Sequence, residues 1–229
     1  MIIYHKINMK ILAIDTSSEI CSTAILEDNK LIDENNLENG KTHSENLMPL
    51  IDELLKRNNL KVEDIEMIAC CVGPGSFTGI RIGVSSIKPI AEVLNIPIAS
   101  VTSLENLAKN VNAEENEKIV SLIDARNNQV YCGIFDNNYN LQEDYIADDI
   151  QVIIKEIKKY NNIICVGNGA VLHEELLKEN FVNVKFSQDN RQFAKNVGFL
   201  GYKKYKEKNL YTADTIMPTY LRKSQAERL

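Results

Sequence analysis

Two kinds of apolar pattern alternate along this chain. Short runs of β-branched and other apolar residues predict buried strands, and longer segments with apolar residues every three or four positions predict amphipathic helices. The strands are predicted at 11–14, 21–26, 30–37, 65–72, 96–101, 119–124, 130–135 and 163–166. The helices are predicted from Thr42 to Asn58, from Ser76 to Leu94, from Thr102, from Asp149 to Tyr160, from Val171 to Asn180 and from Phe193 to Tyr205.

The order of these elements repeats. Each half opens with strand, turn and strand and closes with helices, which predicts a duplicated α/β domain. A strand, an aspartate-containing turn and a second strand also open the actin, hexokinase and Hsp70 class of folds (the ASKHA, ribonuclease H-like folds). The polar, acidic segment from Asn110 to Glu117 is the predicted boundary. We therefore expect one subdomain at 9–110, with the C-terminal helix or tail packing back on it, a second at 117–209, and an extension at 1–8.

A glycine turn links the fourth predicted strand to its helix. Gly73-Pro74-Gly75 interrupts the apolar run, and Ser76 is placed to cap the helix through its hydroxyl. A turn of this kind can cradle an anion. The pattern is not GxxxxGK[ST], so it does not support a P-loop.

The helix after this turn has a face without side chains. Gly79 and Gly83 are four residues apart and Ser86 is three further on, so all three share one face. Each internal glycine costs about 0.8–1 kcal/mol of helix stability relative to alanine. Glycines at these positions are therefore expected only where close packing or a contact requires them. Either it packs tightly inside its own domain, or it lets a partner helix approach.

The helix that opens at Thr42 carries a wide apolar stripe. Thr42 and Glu45 have the spacing of a capping box. The stripe is broad enough to face both a sheet and a second protein. If a partner does approach these two helices, the residues that would form the interface are Leu47, Met48, Ile51, Gly79, Ile80, Ile82, Gly83 and Ser86.

Remnants of a nucleotide site are predicted at three turns. The first turn has Ser17 where a phosphate-binding hairpin usually has glycine, and the second lacks glycines altogether. The third, a small-residue turn into a helix, is a weak signal by itself. These remnants are Asp15, Thr16, Asp124, Arg126, Gly167 and Gly169. A solvated aspartate is the simpler interpretation of Asp15.

Composition narrows the class of protein. Of the 229 residues 44% are hydrophobic and 25% charged, as in an ordinary soluble protein, and no apolar run approaches the ~20 residues of a membrane span. The N-terminus has no apolar core of signal-peptide length, so we expect a cytoplasmic protein. The net charge of −6 disfavours a stand-alone nucleic-acid binder.

Metal and thiol chemistry are not indicated. The five cysteines lack CxxC spacing and most lie in strand-like runs, which predicts reduced core residues. The three histidines are scattered, and His43 near a helix start has no visible catalytic partner. We predict no metal and no tightly bound cofactor.

The motifs together resemble the bacterial TsaB (YeaZ) family over almost the whole chain, from Lys10 to about Arg222. The most specific stretch is Gly73 to Gly83, GPGSFTGIRIG. The others are 11–17, 42–45 with Leu47 and Pro49, 123–126 with Val130 and Tyr131, 167–170, and Pro218 with Tyr220, Leu221 and Arg222.

The resemblance implies a non-catalytic subunit. TsaB-like proteins pair with TsaD, which transfers a threonylcarbamoyl group to N6 of adenosine 37 in tRNAs that read ANN codons, and a TsaE ATPase joins the pair. TsaD-like proteins carry an HxxxH metal motif where this chain has Ser103 and Leu107. A serine and a leucine cannot replace two imidazoles.

The resemblance also implies how the partners meet. The two helices described above would pack against the same pair in TsaD or in a second copy of the chain, since small residues and an apolar rim allow close approach. Contact with tRNA is expected only through the complex, and a nucleotide at the interface between the partners is possible. Pro89 departs from the small residue expected in the second helix.

An independent ATP-binding kinase or ATPase of the same fold class is the alternative, although its phosphate hairpins would be short of glycine. A peptidase is disfavoured because the sequence has no GxSxG, no HExxH and no recognisable Cys/His pair.

Overall fold

A computed structural model of the protein describes residues 8–38 and 42–221. The chain forms two compact units. The first runs up to Val101 and resumes from Gln192 to Pro218, and the second runs from Thr102 to Arg191 and resumes at Thr219. Neither unit is therefore a single continuous piece of chain.

The first unit is built on a five-stranded sheet of order β3-β2-β1-β4-β5. Its elements are β1 (Lys10–Asp15), β2 (Cys21–Glu27), β3 (Lys30–Leu37), α1 (His43–Arg57), a short 3-10 turn (Val62–Asp64), β4 (Met67–Cys71), α2 (Phe77–Leu94) and β5 (Ile98–Val101). β1 pairs antiparallel with β2 and parallel with β4, and β4 pairs parallel with β5.

Helices α1 and α2 share a core with one face of this sheet. Leu12 and Ile14 of β1 point into that core together with Leu47 and Ile51 of α1. Because side chains alternate along a strand, Ala13 and its partner Ala69 in β4 face the other way.

The second unit has its own sheet, of order β10-β9-β6-β7-β8. Its elements are α3 (Ser103–Ala108), β6 (Lys118–Asp124), β7 (Gln129–Phe135), β8 (Ile146–Asp149), α4 (Ile150–Ile157), β9 (Asn162–Val166), α5 (Asn168–Leu172), α6 (Glu174–Asn180) and β10 (Asn183–Phe186). β6 pairs antiparallel with β7 and parallel with β9, which repeats the arrangement around β1.

The last helix returns to the first unit. Helix α7 (Ala194–Lys206) packs on the sheet face that α1 and α2 leave open, with Gly201 against Ala69 and Gly198 against Leu26. This agrees with the expectation that a C-terminal helix packs back on the first subdomain. The predicted bounds 117–209 of the second subdomain wrongly include this helix, because its apolar stripe is buried by the first sheet. Residues 102–110, predicted in the first subdomain, belong to the second unit.

Three local predictions also differ from the structure. The helix expected from Val171 to Asn180 is two helices that meet at His173, and β8 and β10 were not predicted. Thr42 makes no side-chain cap, because its hydroxyl lies 3.0 Å from that of Ser44. Ser76 does cap α2, accepting from the Gly79 N–H at 3.2 Å.

The extension predicted at 1–8 lies outside the described residues except for Asn8. Among the residues that are described, no helix is both long enough and apolar enough to cross a membrane.

Candidate functional site

The turn between β1 and β2 is closed by its own hydrogen bonds. Asp15 is buried, and its Oδ1 accepts from the Ser17 N–H at 2.7 Å and from the Ser17 hydroxyl at 2.6 Å. The Thr16 hydroxyl donates to the carbonyl of Gly79 at 2.7 Å. The side chains predicted to meet a nucleotide are thus engaged within the first unit.

The glycine turn fits against this hairpin. Gly75, at φ 153°, is so close to the Ser17 carbonyl that a Cβ would lie 2.3 Å from its oxygen. The Ser76 N–H donates to the same carbonyl at 2.8 Å. An anion bound here would need the N–H groups of Ser76 and Gly79. These groups already donate to the Ser17 carbonyl and to the Ser76 hydroxyl, respectively.

The bare face of α2 is turned inward. A Cβ on Gly79 would lie 2.1 Å from the Thr16 carbonyl oxygen, and one on Gly83 would lie 2.5 Å from Thr16 Oγ1. Both glycines are buried. At Gly79 and Gly83, tight packing inside the same unit is the alternative that the structure supports, because the first hairpin already occupies the space beside them. Ser86, the third residue of the predicted face, is partly exposed.

The predicted interface residues are therefore divided by burial. Leu47, Ile51, Ile80 and the two glycines belong to the interior of the first unit. The residues that keep exposed surface are Met48, with 47% of its surface accessible, and the partly exposed Ile82 and Ser86.

An outward stripe of α2 lies beside these exposed residues. We define the outer stripe of α2 as Thr78, Ile82, Ser86, Pro89 and Val93, whose 3- and 4-residue spacing places them on one side of the helix. None is charged, and 84% of the Val93 surface is accessible. The stripe is a weakly polar surface with apolar residues at its middle and end.

Met48 is an exposed apolar residue of α1. Arg57, nine residues later and so on the opposite side of α1, donates to Asp33 of β3 at 2.7 Å. Helix α1 packs against β3 and also against α2. Met48 consequently lies on the α2 side of its helix.

In the second unit, the predicted remnants Asp124, Gly167 and Gly169 are neighbours. A Cβ on Gly167, at φ 106°, would lie 2.2 Å from the Leu122 carbonyl oxygen, and one on Gly169 would lie 3.1 Å from the Asp124 nitrogen. These glycines thus let α5 approach the end of β6, which explains them without a nucleotide.

Two asparagines that sequence reasoning missed tie this region together. The Asn168 side-chain oxygen accepts from the Asp124 N–H at 3.0 Å, and that of Asn190 accepts from the Gly167 N–H at 2.8 Å. Asn168 stands between the two predicted glycines, and its amide side chain in that turn could have indicated a hydrogen bond to the neighbouring backbone. No feature of the sequence could have indicated the role of Asn190, because it lies far along the chain from Gly167.

Arg126 is exposed at the tip of the second hairpin. Its N–H donates to Asp124 Oδ1 at 2.8 Å, and Arg126, Asn127 and Asn128 all have positive φ of 56–64°. Three successive left-handed residues without glycine are unusual. The turn is held by its own backbone, with the Gln129 N–H donating to the Arg126 carbonyl at 3.1 Å.

The two positions that align with a metal motif are core positions. Ser103 and Leu107 of α3 are buried, and the Leu107 methyl Cδ1 lies 2.9 Å from where a Gly167 Cβ would be. Within 8–38 and 42–221, no three His, Cys, Asp or Glu side chains cluster closely enough to hold a metal ion.

All five thiols are buried, and none forms a disulfide. Burial, reinforced by the Asp15 carboxylate, raises the pKa of Cys21 to about 11. Burial raises the pKa of Cys165 to about 12 and puts those of Cys70 and Cys132 further above the usual range. These four thiols stay protonated at neutral pH, so they are poor nucleophiles.

His43 is held as a structural residue. Its Nε2 lies 2.8 Å from the Ser18 carbonyl oxygen, and its Cδ2 lies 2.9 Å from where a Gly79 Cβ would be. The imidazole thus packs between the first hairpin and α2.

Comparisons with known proteins relate the chain to two kinds of tRNA-modification protein, TsaD and TsaB. Residues 36–228 match the sequence profile of the family described as TsaD, tRNA N6-adenosine threonylcarbamoyltransferase. The Bacillus subtilis (strain 168) tRNA threonylcarbamoyladenosine biosynthesis protein TsaB is 33% identical over an alignment of 231 positions, which covers 96% of each chain.

Solved structures give the same picture. A Pseudomonas aeruginosa protein described as similar to peptidase YeaZ superposes with a TM-score of 0.81 at 25% identity, over 93% of this chain and all of that one. A ROK hexokinase from Thermus thermophilus superposes with a TM-score of 0.54 at 10% identity, over 87% of this chain and all of that one. The second likeness concerns the fold alone, and it agrees with the predicted duplicated ASKHA fold.

Proposed function

The chain belongs to the TsaB (YeaZ) family, and on that basis we propose that it takes part in the biosynthesis of N6-threonylcarbamoyladenosine in tRNA. Its role is that of a non-catalytic subunit that activates a TsaD-like transferase by pairing with it. The modified base is adenosine 37 of tRNAs that read ANN codons. The chain itself touches tRNA only as part of the complex.

The outer stripe of α2 is the observation that carries this proposal. It offers Pro89, Val93 and part of Ile82 to solvent, and Met48 is exposed on the side of α1 that faces α2. Charged residues flank the stripe, namely Arg81, Lys88 and Glu92. An apolar centre with a polar rim is typical of a protein interface.

The absence of a catalytic role is supported by what replaces the expected groups. Ser103 and Leu107 are packed in the core where a TsaD-like protein would present two imidazoles. The buried thiols with raised pKa values are not available as nucleophiles. In each hairpin turn the aspartate accepts a hydrogen bond from a backbone N–H of the same turn.

The pairing test introduces an aspartate at either of two positions in the outer stripe of α2. Ile82→Asp and Val93→Asp put a charge on apolar positions at the middle and at the end of the stripe, and desolvating it should weaken binding to the TsaD-like partner at least ~10-fold. Val182→Asp is the matched control, because Val182 is fully exposed in the second unit. Copurification and calorimetry measure the binding.

The activity test follows the same variants. Reconstituted threonylcarbamoyladenosine formation should require this chain, should fall with Ile82→Asp and Val93→Asp, and should survive Val182→Asp. Full pairing and modification by both stripe variants would refute the proposed interface. Tight magnesium-dependent ATP binding with turnover by the isolated chain would instead favour the kinase or ATPase alternative.

Self-association is proposed through the same surface. Without its partner, two copies of the chain bury the outer stripe against each other, and a TsaE-like ATPase joins the heteromeric pair. Sedimentation of the isolated chain should give a dimer for wild type and Val182→Asp, and a monomer for Ile82→Asp. A wild-type monomer at micromolar concentration would contradict the homodimer without affecting the heteromeric pair.

A further inference from the structure

Helix α2 contains a proline on its outer stripe. Pro89 lies inside the helix, is exposed, and stands between Ser86 and Val93 in the stripe. In a regular helix the N–H of residue 89 would donate to the carbonyl of residue 85. Proline has no N–H, so the Ser85 carbonyl lacks the hydrogen bond that a helix normally gives it.

The Ser85 carbonyl is placed to accept from outside the helix. Carbonyls of a helix point along its axis towards the residue four positions later, so this one points at Pro89. The proline ring crowds that carbonyl and pushes it away from the regular path. The Ser85 hydroxyl donates to the Ile82 carbonyl at 3.1 Å, so it does not serve its own carbonyl. Because Pro89 is exposed, solvent supplies the donor in the free chain.

Burial of the outer stripe changes this situation. A partner that packs over Pro89 excludes water from the Ser85 carbonyl. A buried carbonyl without a donor costs about as much as a lost hydrogen bond, so the partner has to replace the water. Backbone N–H groups in the interior of a partner helix are already bonded within that helix. The donor must therefore belong to a side chain.

We propose that the TsaD-like partner presents a side-chain N–H or O–H group to the Ser85 carbonyl. The inference rests on the proposed function, which supplies both the partner and the surface that it covers. Pro89 then sets specificity, because a partner with an entirely apolar face would leave the carbonyl buried and unpaired.

The first test restores the missing N–H. Pro89→Ala lets the Ser85 carbonyl bond within α2, so calorimetry should show about threefold to tenfold weaker binding of the partner. The melting temperature of the isolated chain should rise, because the helix gains a hydrogen bond. Pro49→Ala is the matched control: Pro49 is exposed inside α1, and its spacing of eight residues from Arg57 places it on the β3 side. It should raise the melting temperature and leave binding unchanged.

The second test observes the carbonyl directly by NMR. The adjacent serine pairs of the chain are Ser17-Ser18 and Ser85-Ser86, so labelling serine with carbonyl ¹³C and ¹⁵N gives one carbonyl-to-nitrogen signal for each pair. The Ser17 carbonyl already accepts from the Ser76 N–H at 2.8 Å and is the internal reference. When the partner is added at a dilution where sedimentation gives a monomer, the Ser85 carbonyl resonance should move downfield and that of Ser17 should stay.

An unmoved Ser85 resonance at saturating partner would overturn the proposal, and so would wild-type affinity of Pro89→Ala. Equal loss of affinity in Pro49→Ala would also overturn it, because the effect would then come from helix stiffness. The aspartate variants of the pairing test separate the two levels. Full pairing by Ile82→Asp and Val93→Asp would refute the interface itself, whereas weakened pairing by both with an unaffected Pro89→Ala would refute the donor alone.

Discussion

Thr16 is the residue against which α2 is fitted. Its hydroxyl donates to the Gly79 carbonyl, and its oxygen atoms occupy the space where side chains at 79 and 83 would stand. The obstruction differs between the two positions: at 79 it is the backbone carbonyl, and at 83 it is the hydroxyl. Alanine substitutions at 79 and 83 should therefore respond differently when the Thr16 hydroxyl is removed.

Gly83→Ala should destabilise the protein by about 1–3 kcal/mol, because overpacking outweighs the ~1 kcal/mol gain in helix propensity. In a Thr16→Ala background the obstructing hydroxyl is gone, so the same change should cost much less. Urea unfolding of the four proteins of this cycle measures the coupling. Equal costs in both backgrounds would contradict the assigned contact.

Gly79→Ala should behave differently. Its Cβ meets the Thr16 carbonyl oxygen at 2.1 Å, which Thr16→Ala leaves in place, so the cost of ~1–3 kcal/mol should persist in the double variant. Ser86→Ala, on the outer side of the same helix, is the control and should change the free energy of unfolding by less than ~0.5 kcal/mol.

At the scale of elements, α7 shows how a late helix completes an early sheet. Its Gly201 lets the backbone approach Ala69 in β4, where an added Cβ would lie 2.6 Å from the Ala69 methyl. Ala194 and Val197 are fully buried in the same contact surface. The interior strands β1 and β4 are thus covered by helices on both faces.

Gly201→Ala should loosen the first unit in particular, because the new methyl and that of Ala69 cannot share the space. Hydrogen exchange should show faster opening of β1 and β4 and little change in β6 and β9. Ala69→Gly combined with Gly201→Ala should restore part of the protection. Equal loosening of both sheets would contradict the assignment of α7 to the first unit.

Sequence patterns predicted the interior strands well because those strands are buried on both faces and read as continuous apolar runs. They missed β8 and β10, which are edge strands with little buried surface. Glycine spacing on α2 indicated a close approach, but it cannot say what approaches. An amphipathic pattern likewise predicts that α7 buries a stripe, not which sheet buries it.

At the scale of the whole molecule, each of the two units contains buried thiols. Cys21 and Cys70 lie in the first, and Cys132 and Cys165 in the second. The pKa of each is raised by burial, for Cys165 to about 12. In the unfolded chain these thiols would titrate near 8.5.

Stability should therefore fall as pH rises above about 9. Between the unfolded and folded pKa values the folded state holds more protons, so unfolding releases protons and alkaline conditions favour it. Urea midpoints between pH 7.5 and 10.5 measure the effect. Cys165→Ala should start from a lower stability at pH 7.5 and lose less on going to pH 10.5; an identical pH slope would exclude this thiol as a cause.

The two units should also differ as fragments. Residues 102–191 contain a complete five-strand sheet and should fold when expressed alone. Residues 1–101 lack α7, which leaves one face of the first sheet uncovered, and should aggregate unless 192–218 is joined to them by a linker. Circular dichroism and thermal melting compare the three fragments. A cooperative melt of 1–101 alone would contradict the structural role of α7.

The return of α7 to the first sheet has a consequence for how the protein is made. Domains of a nascent polypeptide generally fold in the order of their emergence from the ribosome. Here the unit that begins first is finished last, since the sheet of residues 10–101 waits for a helix that is translated after the whole second unit. Until then its uncovered apolar face must be shielded by other means, so a dependence on chaperones is expected of the first half of the chain and not of the second.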